Sequence, residues 1–276
     1  MENHQVKTLA YFEMHLEEGK SLFEDLTRKI RSKKAINLES KLFFFQVYLE
    51  LLGKIHFKEK TLRLTHFSPF DLIFRSLKRI HHIKLIEQKL TDLQSTTGEH
   101  YPAYGHEIGQ QKKAIYTDVF DTLVAAPLKI WEDLYVTVFS YSKGLTPLQL
   151  NTASTQIINE ETEFAKFDLL QGSTPTALKN VYETLQKITQ LENLRQQGRL
   201  NPVFTDLVHE KIRILTESNY AWYQNHLFFQ HFIHFLSDTQ YMEKKHLLLA
   251  KKVKKEHKAL TEQALKLSTE LFTHIL

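Results

Sequence analysis

The sequence predicts an all-α protein of about nine to ten helices, and three observations support this prediction. The chain has 276 residues, of which 42% are hydrophobic and 25% charged, which is typical of a globular protein. It contains only 8 Gly and 6 Pro, which are few helix breakers for this length. Apolar residues recur at spacings of three and four, and no segment alternates apolar and polar residues for long enough to indicate a strand.

Capping residues in front of proline define most of the predicted helix starts. A Ser, Thr or Asn side chain accepts a hydrogen bond from an orphan N–H, and proline at the first helical position gives up an N–H that has no partner. The pattern occurs at Ser68-Pro69, Thr146-Pro147, Thr174-Pro175 and Asn201-Pro202. The predicted helix ends are at Gly53, Gly144, Gly172 and Gly198.

These signals divide the chain into helices and one long loop. The predicted helices cover residues 5–32, 38–53, 69–94, 109–125, 127–142, 147–170, 175–197, 202–217, 219–236 and about 239–274. Segment 95–108, rich in Gly, Thr and Tyr, is predicted to be a surface loop. A similar order of elements recurs in the second half. We therefore predict two pseudo-repeated antiparallel helical bundles, residues 1–126 and 127–276, with a long C-terminal helix.

Residues 68–93 combine an apolar stripe with a line of cations. The stripe contains Ile73, Leu77, Ile80, Ile83, Ile86, Leu90 and Leu93. A second face carries Arg75, Arg79, His82 and Lys89. This pattern predicts a helix that packs on a core and presents positive charge on its other side.

Charge is distributed unevenly, although the net charge is only +4. Residues 20–89 hold 16 Lys and Arg against 7 Asp and Glu, and residues 244–276 hold 8 against 3. Residues 90–243 between them hold 11 against 18. If the two basic blocks meet in the fold, they form a positive surface that the net charge conceals.

A candidate anion-binding site follows from the first basic block. It comprises Arg28, Arg31, Lys34, Lys41, Arg75, Lys78, Arg79, His82 and Lys89. Consecutive helices of a bundle are usually neighbours, so these side chains could face one groove and bind a polyanion, with an affinity that falls as salt rises. Nucleic acid stays open as a ligand. The alternative is that the same residues only keep helix faces solvated.

Catalytic chemistry has little support in the sequence, so we expect neither an enzyme nor a cofactor. The chain has no Cys, no Gly-x-Ser-x-Gly elbow and no Gly-rich phosphate loop. Glu243 and His246 form one Glu-x-x-His pair, for which Asp206 and His209 are a poor second, so a metal-binding bundle is a weaker alternative. A second weak candidate for a metal or a small ligand lies in the predicted loop, at His100, Tyr101, Tyr104, His106 and Glu107.

Two other features suggest location and surface contacts. The first residues lack the pattern of a signal peptide and no apolar run is long enough to span a bilayer, so we expect a cytoplasmic protein. The C-terminal helix carries Lys244, Lys251, Lys255 and Lys258 near one side, a pattern typical of helices that touch nucleic acid or an anionic membrane.

Three aromatic residues lie close together in the second half of the chain. Trp222 and Tyr223, with Tyr220, indicate a packed corner or, less favoured, a stacking platform.

Two segments resemble the CHAD family of helical domains. The run LKRIHHIKLIEQ, residues 77–88, resembles the segment that follows the first basic helix of that family. The run SNYAWYQN, residues 218–225, is similar to its counterpart in the second half. The resemblance covers residues 5–274. It implies two similar helical bundles around a basic central cavity that binds inorganic polyphosphate.

Several positions depart from the pattern of that family. Lys33 and Thr176 stand where its conserved histidines would open the basic helices, and only Lys41 and Lys179 keep clear basic positions. Ile86 replaces an expected Arg beside a retained acid, Glu87, while Tyr223 and Gln224 replace a His and an acid. Two functions therefore stay open. One is polyphosphate binding through the first half, and the other is a protein-interaction scaffold that has lost anion binding.

Overall fold

The computed structural model describes residues 4–57, 59–172, 174–238 and 243–274, and it confirms the all-α class. These residues contain no strand and form nine helices: α1 (His4–Arg28), α2 (Ser32–Ile55), α3 (Glu59–Thr97), α4 (Pro102–Ala125), α5 (Lys129–Ser142), α6 (Pro147–Gln171), α7 (Pro175–Gln197), α8 (Asp206–Asp238) and α9 (Lys244–His274). None of these helices is long and apolar enough to span a bilayer within the described residues.

The chain divides into two compact units that interleave along the sequence. Unit 1 comprises Met1–Lys78, Tyr116–Glu163 and Gln186–Thr205, and unit 2 comprises Arg79–Ile115, Phe164–Leu185 and Asp206–Leu276. Within unit 1, α1 packs on α2 and α5, and α2 packs on α5; within unit 2, α8 packs on α9. The predicted halves, 1–126 and 127–276, were defined by an internal repeat rather than by compactness. The division into compact units does not test that repeat, so the two halves stay a prediction.

Each unit has its own aromatic core. In unit 1 the Phe12 and Tyr48 rings lie 4.9 Å apart, and the fully buried Trp131 lies 5.2 Å from Phe70. In unit 2 the core cluster joins the apolar stripe of residues 83–93 to α4, α8 and α9. Burial of these large rings removes apolar area from water and so stabilises the packing of the helices.

Two helix boundaries that were predicted from proline and glycine in the first part of the chain are wrong. Pro69 does not start a helix but lies inside α3, and Gly53 lies inside α2. A helix continues through Pro69 because Leu62, Phe67 and Phe70 are all buried on either side of it. Their packing outweighs the backbone hydrogen bond that proline removes.

The predicted loop at 95–108 is also wrong. Helix α3 continues to Thr97 and α4 begins at Pro102, so only four residues separate them. Tyr101, Tyr104 and Ile108 are buried in the core of unit 2 at helical spacing. The Gly and Thr residues of this segment indicated a loop and drew attention away from the apolar stripe. Packing of the apolar face stabilises the helix enough for it to contain Gly105 and Gly109.

Boundaries of three helices, α1, α2 and α8, also differ from the prediction. One helix, α8, replaces the two expected at 202–217 and 219–236, and it begins at Asp206 rather than after Asn201. The polar residues Ser218 and Asn219, at the boundary between the two expected helices, are buried inside it. The first predicted helix ends early, at Arg28, and α2 begins early, at Ser32.

Two predicted caps are confirmed. Thr146 and Gln149 form a reciprocal capping box before α6, since the Gln149 N–H donates to Thr146 Oγ1 (3.3 Å) and Gln149 Oε1 accepts from the Thr146 N–H (2.9 Å). The Ala177 N–H donates to Thr174 Oγ1 (3.1 Å) at the start of α7. Both sites pair a good capping side chain with proline at the first helical position.

Candidate functional site

The junction between α1 and α2 in unit 1 carries a dense group of exposed cations. Arg28 ends α1 and Arg31 immediately precedes α2. Both are exposed, as are Lys29 and Lys33 beside them. Four exposed cations within six residues create a local positive potential that the net charge of +4 does not indicate.

The start of α2 adds backbone donors to this group. Arg31 occupies the N-cap position, where its side chain makes no capping hydrogen bond. A guanidinium has no acceptor, so it cannot satisfy the first N–H groups of the helix. The first turn also contains no acidic residue. The positive end of the helix dipole therefore coincides with the cations of the α1–α2 junction.

A carboxylate of α1 balances part of this charge. Asp25 forms an ion pair with Lys34. The hydrogen bond from Lys34, followed by the charges of Lys34, Arg28 and Arg31, lowers the pKa of Asp25 below its usual value. Lys34, one of the predicted anion ligands, is thus already bound to a carboxylate.

Lys41 has two partners on α1. Its ammonium is ion-paired with Glu18 and lies 2.9 Å from His15 Nδ1. Because an ammonium can only donate, Nδ1 accepts and the imidazole proton lies on Nε2. Burial, followed by the charge of Lys41, lowers the pKa of His15 to about 4.

The surroundings of Lys41 are acidic rather than cationic. Lys41 lines an open groove between α1 and α2 of about 730 Å³, whose other lining residues include Glu17, Glu18 and Asn37. Two carboxylates beside one ammonium repel a polyanion. The local charge around Lys41 is therefore negative, whereas that at the α1–α2 junction is positive, so Lys41 is not part of the same cationic group.

The cations of α3 fall into both units. In unit 1, Arg75 is exposed and its Nε donates to the carbonyl of Asp71 (3.3 Å), while Lys78 Nζ lies 4.7 Å from the centre of the Phe74 ring. Arg79, His82 and Lys89 belong to unit 2.

Two of the unit 2 residues bind other side chains of that unit. His82 Nε2 is 2.9 Å from the hydroxyl of Tyr223, and Lys89 donates to Glu256 of α9 (2.6 Å). Arg79 is exposed. Of the nine predicted ligands, the structure thus brings Arg28 and Arg31 together at the α1–α2 junction and joins Lys34, Lys41 and Lys89 to carboxylates.

The metal candidates do not converge in the described residues. Glu243 is exposed and ion-paired with Lys245. His246 is buried, and its ring lies 5.9 Å from the ring of Tyr101 and 6.0 Å from that of Phe235. No group of three His, Asp or Glu side chains in this part of the chain is placed to hold a metal ion.

Several buried polar groups of α8 and α9 were missed from sequence. Trp222 is fully buried and donates to Thr261 (3.1 Å), as expected of a packed corner, whereas Tyr220 of the same predicted corner is 40% exposed. His226 Nδ1 lies 3.1 Å from His257 Nε2. Asn219 and Asn225 are fully buried, and no partner for either amide group lies among the described residues. Their spacing matches that of apolar core positions, and this spacing was the available signal.

Comparison of the chain with family models, with curated proteins and with solved structures finds no match.

Proposed function

We propose that the protein binds a polyanion such as inorganic polyphosphate at the α1–α2 junction. The group of exposed cations Arg28, Lys29, Arg31 and Lys33 at the N-terminus of α2 carries this proposal. Arginine offers a planar fork to phosphate oxygens, and lysine adds a mobile charge. The resemblance to CHAD domains supports the same ligand class.

The proposal assigns the other predicted ligands to two roles. Lys34, Lys41 and Lys89 act mainly in ion pairs that hold helices together, since each is bound to a carboxylate. Arg75, which is exposed in unit 1, is a candidate for a further contact with the anion.

Titration with short-chain polyphosphate tests this function. We expect binding at about 20 mM salt that weakens at least about tenfold at 200 mM, because each contact with a phosphate competes with counterions. Reversing both arginines, Arg28→Glu with Arg31→Glu, should weaken binding at least about tenfold. Reversing Arg75 alone, Arg75→Glu, should weaken it less.

The matched control reverses two exposed lysines elsewhere in unit 1, Lys129→Glu with Lys143→Glu. This variant has the same net charge as the junction variant, so it should retain most of the binding if the site is local. Absence of binding at 20 mM salt, or equal losses in the two variants, would reject the proposal.

A second candidate function is the protein-interaction scaffold. Helix α6 exposes three large apolar side chains in its last two turns, Phe164, Phe167 and Leu170. Exposed apolar groups of this size are common at protein contact sites. A stoichiometric partner whose capture is lost in Phe164→Ser with Phe167→Ser, combined with a melting temperature unaffected by polyphosphate, would favour this function over anion binding.

A further inference from the structure

A separate apolar groove lies between α8 and α9 in unit 2. It has a volume of about 620 Å³, and its floor is formed by Phe229 and Ile233 of α8 and by Leu247 and Ala250 of α9. The side chains of Ile233 and Leu247 are 43% and 45% exposed. A concave apolar surface of this volume is typical of small-molecule sites.

Two lysines on one edge give the groove its polarity. Lys251 and Lys254 both line it and are exposed, and no carboxylate among the described residues is ion-paired with either. Three residues apart on a helix, their side chains start on the same side, about 5 to 6 Å from each other. Two ammonium groups at that spacing can share one anionic group.

The opposite edge carries no net positive charge. It is formed by Gln230 and His234. His234 lies 3.1 Å from the carboxylate of Asp238 (Nδ1 to Oδ2). The groove therefore presents an apolar floor, a cationic edge on α9 and a polar edge on α8, which matches an amphiphile with one anionic end.

The length of the floor favours a small molecule over a helical peptide. Its α8 part runs from Phe229 to Ile233, about 6 Å along the helix axis at 1.5 Å per residue. A docked helix with anchors at i, i+4 and i+7 needs about 10 Å of apolar floor. An alkyl chain has no polar backbone that needs partners, and rotation into gauche conformers lets it bend and stay on a floor shorter than its extended length.

We propose that the α8–α9 groove binds a free fatty acid, with its alkyl chain on the floor and its carboxylate between Lys251 and Lys254. This site goes beyond the polyanion function. It shares no residue with the α1–α2 junction and belongs to the other unit. Each site can therefore fail in experiment without the other.

Displacement of a fluorescent probe, dansyl-undecanoate, measures this binding. We expect saturable enhancement of the fluorescence, reversed by decanoate at a concentration at least about tenfold lower than that of decanol, which keeps the chain but lacks the charge. Lys251→Gln with Lys254→Gln should weaken probe binding at least about tenfold, which corresponds to the loss of about one charge-assisted hydrogen bond. Ile233→Asp, at an exposed position, should weaken it similarly with an unchanged circular dichroism spectrum.

The adjacent pair on α9 provides the control. Lys252 and Lys255 are exposed but do not line the groove, so Lys252→Gln with Lys255→Gln has the same net charge and should keep the affinity within about threefold at 150 mM salt. The proposal is overturned if this control loses as much as the groove variant, if decanol competes as well as decanoate, or if the probe does not bind. It is also overturned if phosphatidylglycerol vesicles sediment the protein while decanoate fails to displace the probe, since the lysines then serve a membrane surface.

Discussion

Arg195 is a buried cation of unit 1 that sequence reasoning did not single out. Its Nη1 donates to Ser154 Oγ (2.6 Å) and its Nη2 donates to Asn151 Oδ1 (2.7 Å) and to the carbonyl of Asn201 (2.5 Å). Glu192, also buried, lies 3.7 Å away and forms its ion pair. Arg195 thereby ties the segment after α7 to α6.

Replacing Arg195 should destabilise the protein strongly. Arg195→Met should lower the free energy of unfolding by about 3–5 kcal/mol, because it leaves Glu192 buried without its cation. Arg195→Lys should also destabilise, since a single ammonium cannot replace the guanidinium fork. Urea unfolding measures both variants.

The same change at Arg213 provides the control for this prediction. Arg213 forms only exposed ion pairs with Glu210 and Glu217, so Arg213→Met should change stability little. Equal urea midpoints for Arg195→Met and Arg213→Met would contradict a structural role for the buried network.

Single residues also show why the candidate site was only partly predictable. Lys89 and its partner Glu256 are 167 residues apart in sequence, and Lys41 and Glu18 are 23 apart. No local pattern links residues so distant, so a cation bound to a carboxylate looks the same in the sequence as an exposed one. Arg28 and Arg31 were predictable as a cluster because they lie close together in the chain itself.

Gly198, after helix α7, shows how the ends of helices depend on their neighbours. The sequence predicts it as the helix stop, and α7 does end at Gln197. The left-handed residue, however, is Arg199, with φ of 55°. A Cβ on Gly198 would lie 2.6 Å from Thr8 Cγ2, so the glycine permits close approach of α1.

We therefore expect Gly198→Ala to destabilise the protein by about 1–3 kcal/mol through overpacking. Combining it with Thr8→Ser, which removes the clashing methyl group, should recover part of this loss. Gly109→Ala is the control, since nothing lies within 4 Å of the added methyl group and α4 should gain about 1 kcal/mol. Thermal unfolding checks the set, and a Gly198→Ala variant as stable as the parent would refute the close approach.

At the scale of elements, local signals succeeded where side chains complete their own helix. Thr146 and Thr174 cap α6 and α7 because acceptor and donor lie within three residues of each other. Ser68-Pro69 and the 95–108 segment misled because their helices are stabilised by distant packing. Phe70 packs on Trp131 of α5, and Tyr104 packs on Phe228 of α8, and neither contact leaves a local sequence signal.

Several histidines of the molecule are partly buried, which favours their neutral form. Burial is the first cause that lowers the pKa of His15, His226, His231 and His257, and the pKa of His15 falls to about 4 from the usual 6.5. The unfolded chain therefore binds more protons than the folded protein below about pH 6.5. The stabilisation is complete above that pH and is lost as pH falls through the folded values.

We accordingly expect the melting temperature to drop as pH falls from 7 to about 5.5, above the range in which carboxylates of the unfolded chain titrate. His15→Gln should reduce this pH dependence, because glutamine keeps an acceptor for Lys41 but does not titrate in this range. Circular dichroism melts at several pH values measure both slopes. A melting temperature that rises on acidification, or an identical slope in the variant, would contradict neutral burial of His15.

The sequence by itself determined the all-α class, most helices, two caps and the cationic cluster at residues 28–33, because periodicity, capping and charge density act over a few neighbouring residues. Only the tertiary structure decided which cations pair with acids, which polar groups are buried and where α8 and α9 form an apolar groove. Those outcomes depend on which distant faces pack together, and burial sets both the ionisation of a histidine and the exposure of a lysine.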